Sequence, residues 1–204
     1  MSIVAADREN KLPDEKTPII PYQFSQTTAR LLLRPLNMND HPIWKETQIN
    51  LPQSNNPWAI QPTPKENLTR KHFRQLLEAK RLDWGLDRSY YFAAFEQSTH
   101  QWIGQISLMD ISRAIFQNAY IGYTIHTPYW RRGYGTEMLN AAIKIAFSTL
   151  KLHRVEAGIS PKNIPSIRLV EKVGFRFEGL SRKRLFFDGQ WCDMNIYALT
   201  SEEV

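Results

Sequence analysis

The sequence has 204 residues, of which 42% are hydrophobic and 23% are charged, the proportions of an ordinary soluble domain. It contains no apolar run near the roughly 18 residues that a membrane-spanning helix needs, and its start, MSIVAADRENKLPDEK, lacks the apolar stretch of a secretory signal. A formal net charge of +6 favours anionic partners without choosing among them, and the single cysteine, Cys192, excludes a disulfide within the chain. We therefore expect a cytoplasmic protein with no membrane partner.

The chain is expected to begin with an irregular arm. Three prolines interrupt residues 1–26, so we place the folded domain over 27–204. The apolar run ARLLLRPL predicts a strand over 29–36, and a helix follows over 39–50. The start signals of that helix are Asn39 or Asp40 as the cap and Pro42 in the first turn.

A second helix is predicted after the proline-rich, irregular segment 51–64. Thr63 and Glu66 have the spacing of a capping box, and Pro64 suits the first helical position. The helix should run to about Trp84. Its expected core side carries Phe73, Leu76, Leu77 and Lys80.

The rest of the pattern alternates strands with helices. Apolar runs bounded by turn residues predict strands over 89–96, 102–111, 118–125 and 153–159, and a hairpin over 179–199 that turns at Asp188-Gly189. Apolar residues at helical spacing predict helices over 135–149, with Met138, Leu139, Ala142, Ile145 and Ala146 inward, and over 164–175, ended by Gly174. A mixed α/β sheet is the expected result.

The stretch YWRRGYGTEML, residues 129–139, connects a buried strand to a helix. Free N–H groups and the positive dipole end of a helix attract anions. Gly133 and Gly135 let the backbone approach a phosphate, and Arg131 and Arg132 add positive charge. The spacing matches neither the P-loop nor the dinucleotide fingerprint. The alternative is a tight connection with two solvent-facing arginines.

The segments YTIHTPYWRRGYGTEML and NIPSIRLVEKVGF resemble the pyrophosphate loop and the following helix of the Gcn5-related N-acetyltransferase (GNAT) family. The segments NNPWAIQP and FRFEGLSRKRLFFDGQWCDMNIYAL are similar to the RimJ and RimL branch, which acetylates the N-termini of ribosomal proteins. The resemblance covers about residues 27–200. It implies a mostly antiparallel mixed sheet of about seven strands, splayed between the fourth and fifth, with about four helices. The matching positions are Gly133, Gly135, Thr136, Asn163, Ser166, Leu169, Gly174 and Phe175.

The resemblance implies acetyl-CoA as the cosubstrate. It assigns the thioester carbonyl to backbone N–H groups around Tyr123 to Ile125. Two loop positions depart from the family, since Trp130 replaces an arginine or glutamine and Arg131 replaces a glycine. The expected CoA-binding residues are Tyr123, Thr124, Ile125, Arg131, Arg132, Gly133, Tyr134, Gly135, Thr136, Asn163 and Ser166.

The familiar catalytic groups of the family are missing from this sequence. Val170 stands where many members have a tyrosine for the leaving thiolate. Ser166, one helical turn earlier, matches a serine that the resembled branch has near the sulfur, which implies a role there, and the alternative is a serine that only binds helix backbone. Ala119 and Leu185 stand where relatives have a glutamate base. Tyr120 is the preferred candidate for a water relay, with Asn118 and His126 as its alternatives.

A site without a strong base suits an α-amino acceptor. The reference pKa is near 8 for this group and about 10.4 for lysine, a gap worth roughly 3.4 kcal/mol of deprotonation. The acceptor is therefore expected to be a protein N-terminus, such as that of a ribosomal protein. Trp58 and Asp193 are the candidate acceptor contacts, against core packing for Trp58 and a place in the hairpin strand for Asp193.

Two other functions stay open. One is acetylation of a small amine, such as an antibiotic, polyamine or amino acid. The other is a catalytically weak acyl-CoA-binding or nucleic-acid-binding module, although no RNP-type aromatic motif favours direct nucleic-acid readout. Five scattered histidines suggest no metal site. Both a monomer and a homodimer are compatible with the sequence.

Overall fold

A computed structural model of the protein describes residues 24–187 and 189–204. This part of the chain forms one sheet of eight strands together with four α-helices. The strands are β1 Gln26–Thr27, β2 Leu31–Arg34, β3 Tyr90–Glu96, β4 Trp102–Ser112, β5 Asn118–Ile125, β6 Arg154–Ile159, β7 Arg176–Phe187 and β8 Gln190–Thr200. The helices are α1 His41–Asn50, α2 Arg70–Gly85, α3 Tyr134–Lys144 and α4 Ile164–Val173.

The strand order across the sheet is β1-β2-β3-β4-β5-β6-β8-β7. Every neighbouring pair is antiparallel except β5 and β6, which confirms the mixed, mostly antiparallel α/β sheet. The count exceeds about seven because Gln26 and Thr27 add a short edge strand to β2. Residues 1–23 of the predicted arm and Asp188 of the predicted hairpin turn lie outside the described residues.

The sheet opens between β5 and β6. These parallel strands are in register only from Asn118 to Tyr120, opposite Arg154 to Glu156. Beyond Tyr120 the two strands separate, and each continues with its other neighbour, β4 or β8. The predicted splay is confirmed at this place, which is the fourth and fifth strand when β1 is not counted.

Helices cover both faces of the central part of the sheet, where β3 and β4 bury side chains on both sides. α3 and α4 pack on one face, where the five predicted α3 residues are buried in the larger core. α1 and α2 pack on the other face, where Trp44 and Phe73 meet Phe95 and Trp102. No helix in these described segments has the length and apolarity to cross a bilayer.

The predicted start of α2 is wrong. A short 3₁₀ turn, Lys65–Asn67, occupies the expected first turn, and Thr63 and Glu66 form no capping box. Leu68 is buried in the α1–α2 core with a ψ of 45°, which breaks the helical path. The helix begins one residue after Thr69, whose hydroxyl accepts a hydrogen bond from the His72 N–H at 3.1 Å.

Two other helix ends also differ from prediction. Asp40 precedes α1 and Pro42 lies in its first turn, as predicted, but the Asp40 side chain does not cap α1, and Asn37 caps a 3₁₀ turn that precedes the helix. The last predicted turn of α3, Ile145–Thr149, is π-helical. The remaining strands, helices and the hairpin are confirmed, with ends that differ by a few residues.

His126 follows β5 and is almost completely buried against Trp102. Its Nδ1 lies 3.0 Å from the Trp102 carbonyl oxygen, and its Nε2 has no partner among the described residues. Burial lowers the pKa of His126 to about 4. The ring is therefore neutral at physiological pH and belongs to the structural core.

This burial predicts a pH-dependent stability. His126 has a pKa near 6.5 in the unfolded chain and about 4 in the folded protein, so between these pH values only the unfolded chain binds the proton. The stability of the fold is therefore lost as the pH falls through this interval. Between pH 7 and pH 5 the wild type should lose about 2 kcal/mol more of its unfolding free energy than the His126→Asn variant. Denaturant titrations at both pH values measure the difference. His100→Asn, on an exposed turn, should behave like the wild type, and equal losses in all three proteins would contradict the prediction.

Candidate active site

A cleft of about 430 Å³ opens where β5 and β6 separate. We call it the splay cleft. The end of β5, the turn before α3 and the start of α4 form its walls. Its lining residues are Asn56, Trp58, Tyr123, Thr124, Ile125, Tyr129, Trp130, Arg131, Gly133, Tyr134, Gly135, Thr136, Asn163, Pro165, Ser166 and Leu169. The lining contains every residue predicted to bind CoA except Arg132.

The turn before α3 presents free backbone donors to the cleft. Gly133 has a φ of +80° and precedes the first helical residue, Tyr134, so it places no side chain over the helix start. The Glu137 N–H already bonds to the Gly133 carbonyl, while the N–H groups of the first turn before it point out of the helix end. This geometry fits a diphosphate.

Arg131 occupies the left-handed region with a φ of +60°. A glycine would adopt this conformation without cost, which explains physically why the family has glycine at this position. The exposed guanidinium of Arg131 lines the cleft and adds positive charge. Arg132 instead lies against Tyr129, with its guanidinium carbon 5.6 Å from the ring centroid.

Trp130, the other departure from the family, anchors the turn. Its indole Nε1 donates a hydrogen bond to the Ile125 carbonyl oxygen at 2.6 Å. This bond joins the end of β5 to the turn before α3. A large side chain therefore has a definite structural role at this loop position.

Arg30 organises the turn from the opposite side. Its Nη1 donates to the Arg132 carbonyl oxygen at 2.9 Å, and its Nε donates to Glu137 at 2.7 Å. Its guanidinium carbon also lies 4.4 Å from the ring centroid of Tyr134. Arg30, just before β2, thus contacts one residue of the loop that precedes α3 and two residues at the start of that helix.

Glu137 would oppose an anion if its carboxylate were free. Thr28 Oγ1 donates to it at 2.5 Å and the Arg30 backbone N–H at 2.7 Å. Burial raises the pKa of Glu137, but the hydrogen bonds from Thr28 and Arg30 outweigh it, so its net pKa lies below the ordinary value. The carboxylate is charged and paired, and it faces Arg30.

The open edge of β5 supplies two more backbone donors. The His126 N–H bonds to the Ile103 carbonyl of β4, so even-numbered N–H groups of this strand point to β4. The N–H groups of Tyr123 and Ile125 consequently point towards β6, where pairing has already ended. They remain candidates for the predicted contact with the thioester carbonyl.

Tyr123 and Ser166 face each other across the splay. Their hydroxyl oxygens lie 2.6 Å apart, and either can be the donor. The Ser166 N–H donates to Asn163 Oδ1, the α4 cap, which leaves the Ser166 hydroxyl directed at Tyr123 rather than at helix backbone. Burial raises the pKa of Tyr123 to about 12, so its phenol remains protonated. The two hydroxyl groups therefore lie together on the wall of the splay cleft.

The other predicted catalytic residues lie away from the splay cleft. The Tyr120 hydroxyl accepts a hydrogen bond from Arg184, whose guanidinium also lies over the Tyr120 ring. His126 is in the core, as is Val170, which is fully buried between α4 and the sheet. Asn118 lies at the paired start of β5.

The two predicted acceptor contacts differ in position. Trp58 lines the splay cleft, and its backbone N–H donates to Asn56 Oδ1 at 2.9 Å. Asp193 lies on the exposed hairpin, where its carboxylate accepts from the Lys183 N–H at 2.8 Å. The position of Trp58 supports a contact with ligand, while the acceptor role of Asp193 stays a prediction.

A second cavity, of about 290 Å³, lies on the face of the sheet that carries α2. We call it the α2 cavity. It shares Tyr123 and Thr124 with the splay cleft, so both spaces border the end of β5. Its other lining residues are Leu36, Lys80, Tyr91, Phe92, Ala93, Gln105, Ile106, Ser107 and Gly122.

Sequence reasoning missed Arg30 and Glu137 as partners, because 107 positions separate them and neither belongs to a motif. It placed Lys80 on the core side of a helix without suggesting a cavity there. Within the described segments, no group of three or more metal-binding side chains comes together.

The model of the family described as "Acetyltransferase (GNAT) domain" matches residues 30–176. The chain belongs to the GNAT acetyltransferase family. This agrees with the splayed sheet and the glycine turn, and acetyl-CoA, the acetyl donor of the family, is confirmed as the expected cosubstrate. A structure of Mycobacterium smegmatis RimJ in complex with CoA-disulfide has a TM-score of 0.74 at 27% identity, covering 85% of this chain and 83% of the other.

Two curated relatives are similar to part of this GNAT protein. A probable N-acetyltransferase of Bacillus subtilis, YjcK, is 38% identical over 117 residues, which is 57% of this chain and 65% of the relative. The [ribosomal protein uS5]-alanine N-acetyltransferase of Escherichia coli is 33% identical over 115 residues, 56% of this chain and 59% of the relative. The match therefore spans less than two thirds of either relative.

The contacts of Arg30 predict a role in CoA affinity. Arg30→Met removes the bond to the Arg132 carbonyl and leaves the Glu137 carboxylate without its cation beside the diphosphate site. We expect the Kd of CoA to rise about tenfold, or about 1.4 kcal/mol, in calorimetric titrations. The double variant Arg30→Met/Glu137→Gln should recover part of the affinity.

Arg74→Met is the matched control, because Arg74 is exposed on α2 and the substitution removes the same charge. An equal rise in Kd for both single variants would show that only net charge matters. That result would contradict a specific role for Arg30.

Proposed function

We propose that the protein transfers the acetyl group of acetyl-CoA to the α-amino group of a protein or peptide N-terminus. The observation that carries this proposal is the Tyr123–Ser166 hydroxyl pair at 2.6 Å, at the end of β5 that borders both the splay cleft and the α2 cavity. A thioester reaching this point from the diphosphate turn would be open to an amine from the other face of the sheet.

Acetyl-CoA supplies a thioester whose acetyl carbon accepts the amine. In the proposed reaction the N–H groups of Tyr123 and Ile125 stabilise the developing oxyanion. The nitrogen–carbon bond forms, the carbon–sulfur bond breaks, and the amine proton passes to water. Trp130 holds the carbonyl of Ile125 and so keeps this end of the strand in place.

In this proposal one hydroxyl of the Tyr123–Ser166 pair donates a hydrogen bond to the leaving sulfur, and the other hydroxyl donates to the first. Transfer of the phenolic proton from a group with a pKa of about 12 to a thiolate, whose conjugate acid has a pKa near 8.5, would be uphill by roughly 5 kcal/mol. Donation of a hydrogen bond without transfer avoids that cost and stabilises the thiolate by about 1.5–3 kcal/mol. The thiolate then takes its proton from solvent.

The choice of an α-amino acceptor rests on the absence of acids. No Asp or Glu is among the described residues that line either cavity. Glu156 on β6 lies opposite Tyr120, but Arg154 Nε already donates to it at 2.8 Å. An amine that loses its proton readily near neutral pH fits such a site. The similarity to the uS5-alanine enzyme supports the same acceptor class.

A small polyamine is the second candidate. A Vibrio cholerae spermidine N(1)-acetyltransferase is 26% identical over 108 residues, 52% of this chain and 62% of the relative. A polycation would need carboxylates to bind it. Since the described lining of both cavities contains none, the peptide N-terminus is preferred.

Thiol release from acetyl-CoA tests the proposal directly. The acceptors would be peptides with free Ala, Ser or Met N-termini, N-acetylated peptides that carry lysine, and spermidine. We expect turnover with free N-termini at least tenfold faster than with the blocked peptides or spermidine. Faster acetylation of lysine or spermidine would reject the proposed acceptor.

The hydroxyl pair can be tested by substitution. Tyr123→Phe and Ser166→Ala should each lower kcat about 10- to 100-fold, with the Kd of CoA changed less than about twofold, because a bond to the leaving thiolate is made only as the reaction proceeds. Tyr90→Phe is the control, since burial also raises the pKa of Tyr90 to about 12 but its hydroxyl bonds to Asp87, away from both cavities. An unchanged kcat in both site variants would overturn the role of the pair.

A further inference from the structure

The α2 cavity contains a cation without a carboxylate partner. Lys80 is the one charged residue among its described lining residues. No carboxylate of the described segments lies within ion-pair distance of Lys80 Nζ. Asp83, one turn further along α2, acts on Lys80 through its charge without forming an ion pair with it, and it accepts a hydrogen bond from the Tyr91 hydroxyl at 3.3 Å. The side chain of Lys80 is thus available to an anion in the cavity.

Lys80 is held in place by an aromatic ring. Its Nζ lies 4.2 Å from the ring centroid of Tyr91. Burial lowers the pKa of Lys80, while the charge of Asp83 acts in the opposite direction. The ring face also favours the ammonium form, because its quadrupole attracts a cation. A partly buried ammonium without an ion pair is stabilised when an anion binds beside it.

Neutral donors line the same cavity as the ammonium: Gln105 and Ser107 on β4 and Thr124 on β5. The Ser107 hydroxyl donates to the Gly122 carbonyl at 3.3 Å, and no hydrogen bond within the described residues engages the side chains of Gln105 and Thr124. An amide and a hydroxyl beside an ammonium form a donor set suited to a carboxylate.

We infer that the α2 cavity binds a carboxylate of the acceptor while its α-amino group reaches the splay beside Thr124. The inference rests on the proposed function and names its acceptor more narrowly: a peptide whose second residue is Asp or Glu. Tyr123 and Thr124 line both the cavity and the splay cleft, so a short peptide that passes the end of β5 can place its amine at the splay and its carboxylate in the cavity. The same ammonium repels a polyamine or a lysine-rich N-terminus.

The test compares three peptides that begin Ser-Asp, Ser-Asn and Ser-Lys and are otherwise identical. The wild type should acetylate the Ser-Asp peptide with a kcat/KM at least tenfold above that of Ser-Asn, and Ser-Lys should be slowest. Lys80→Met keeps the apolar stem over Tyr91 and should make the first two peptides equal. Lys80→Glu should favour Ser-Lys. Lys71→Met, an exposed residue of the same helix, should leave the wild-type order unchanged.

The outcomes separate this inference from the proposed function. Equal rates with Ser-Asp and Ser-Asn in a wild type that acetylates both would overturn the inference and leave acetyl transfer intact. So would a preference for Ser-Asp that survives Lys80→Met. If no peptide is acetylated, the proposed function fails, and calorimetric titration of the same peptides into CoA-saturated protein decides the inference. Tighter binding of Ser-Asp that Lys80→Met abolishes would support it, and equal Kd values would reject it.

Discussion

The separation of β5 from β6 after Tyr120 is the constraint on which the rest of the structure depends. Parallel strands need a crossover connection, and here that connection is α3, preceded by the glycine turn. Both strands remain paired on their outer edges, so the sheet is not weakened as a whole. The opening leaves backbone donors without partners inside the fold, a cost that only a bound ligand or water can offset.

The charges around the turn before α3 are positioned by contacts from a distant part of the chain. A helix start with free N–H groups attracts anions, but a glutamate in its first turn works against them. In this protein Arg30 pairs with Glu137 and also fixes the backbone at Arg132. Arg131 has a left-handed backbone conformation, which is unfavourable for a residue other than glycine, and its guanidinium adds a cation to the cleft wall. We therefore expect the affinity for acetyl-CoA to depend on Arg30, just before β2, as well as on the turn itself.

The chemistry of the site follows from donors rather than from acids and bases. Backbone N–H groups and two hydroxyls line the splay cleft, one ammonium lines the α2 cavity, and the described lining residues include no carboxylate. In the proposed reaction such groups would stabilise negative charge on oxygen, on sulfur and on the acceptor. It does little to remove a proton from the incoming amine. The proposed acceptor is accordingly one whose amine is already weakly basic and whose neighbouring group is anionic.

The sequence by itself determined the elements, the family and the turn, because these depend on local periodicity and on glycines close together in the chain. It did not determine the true start of α2, where burial of Leu68 overrides a good capping signal at Thr63. Nor could it pair Tyr123 with Ser166 or Arg30 with Glu137, since those contacts join residues 43 and 107 positions apart. Only the tertiary structure decided that Lys80 faces a cavity, because helical spacing gives the side of a helix but not the shape of the space beside it.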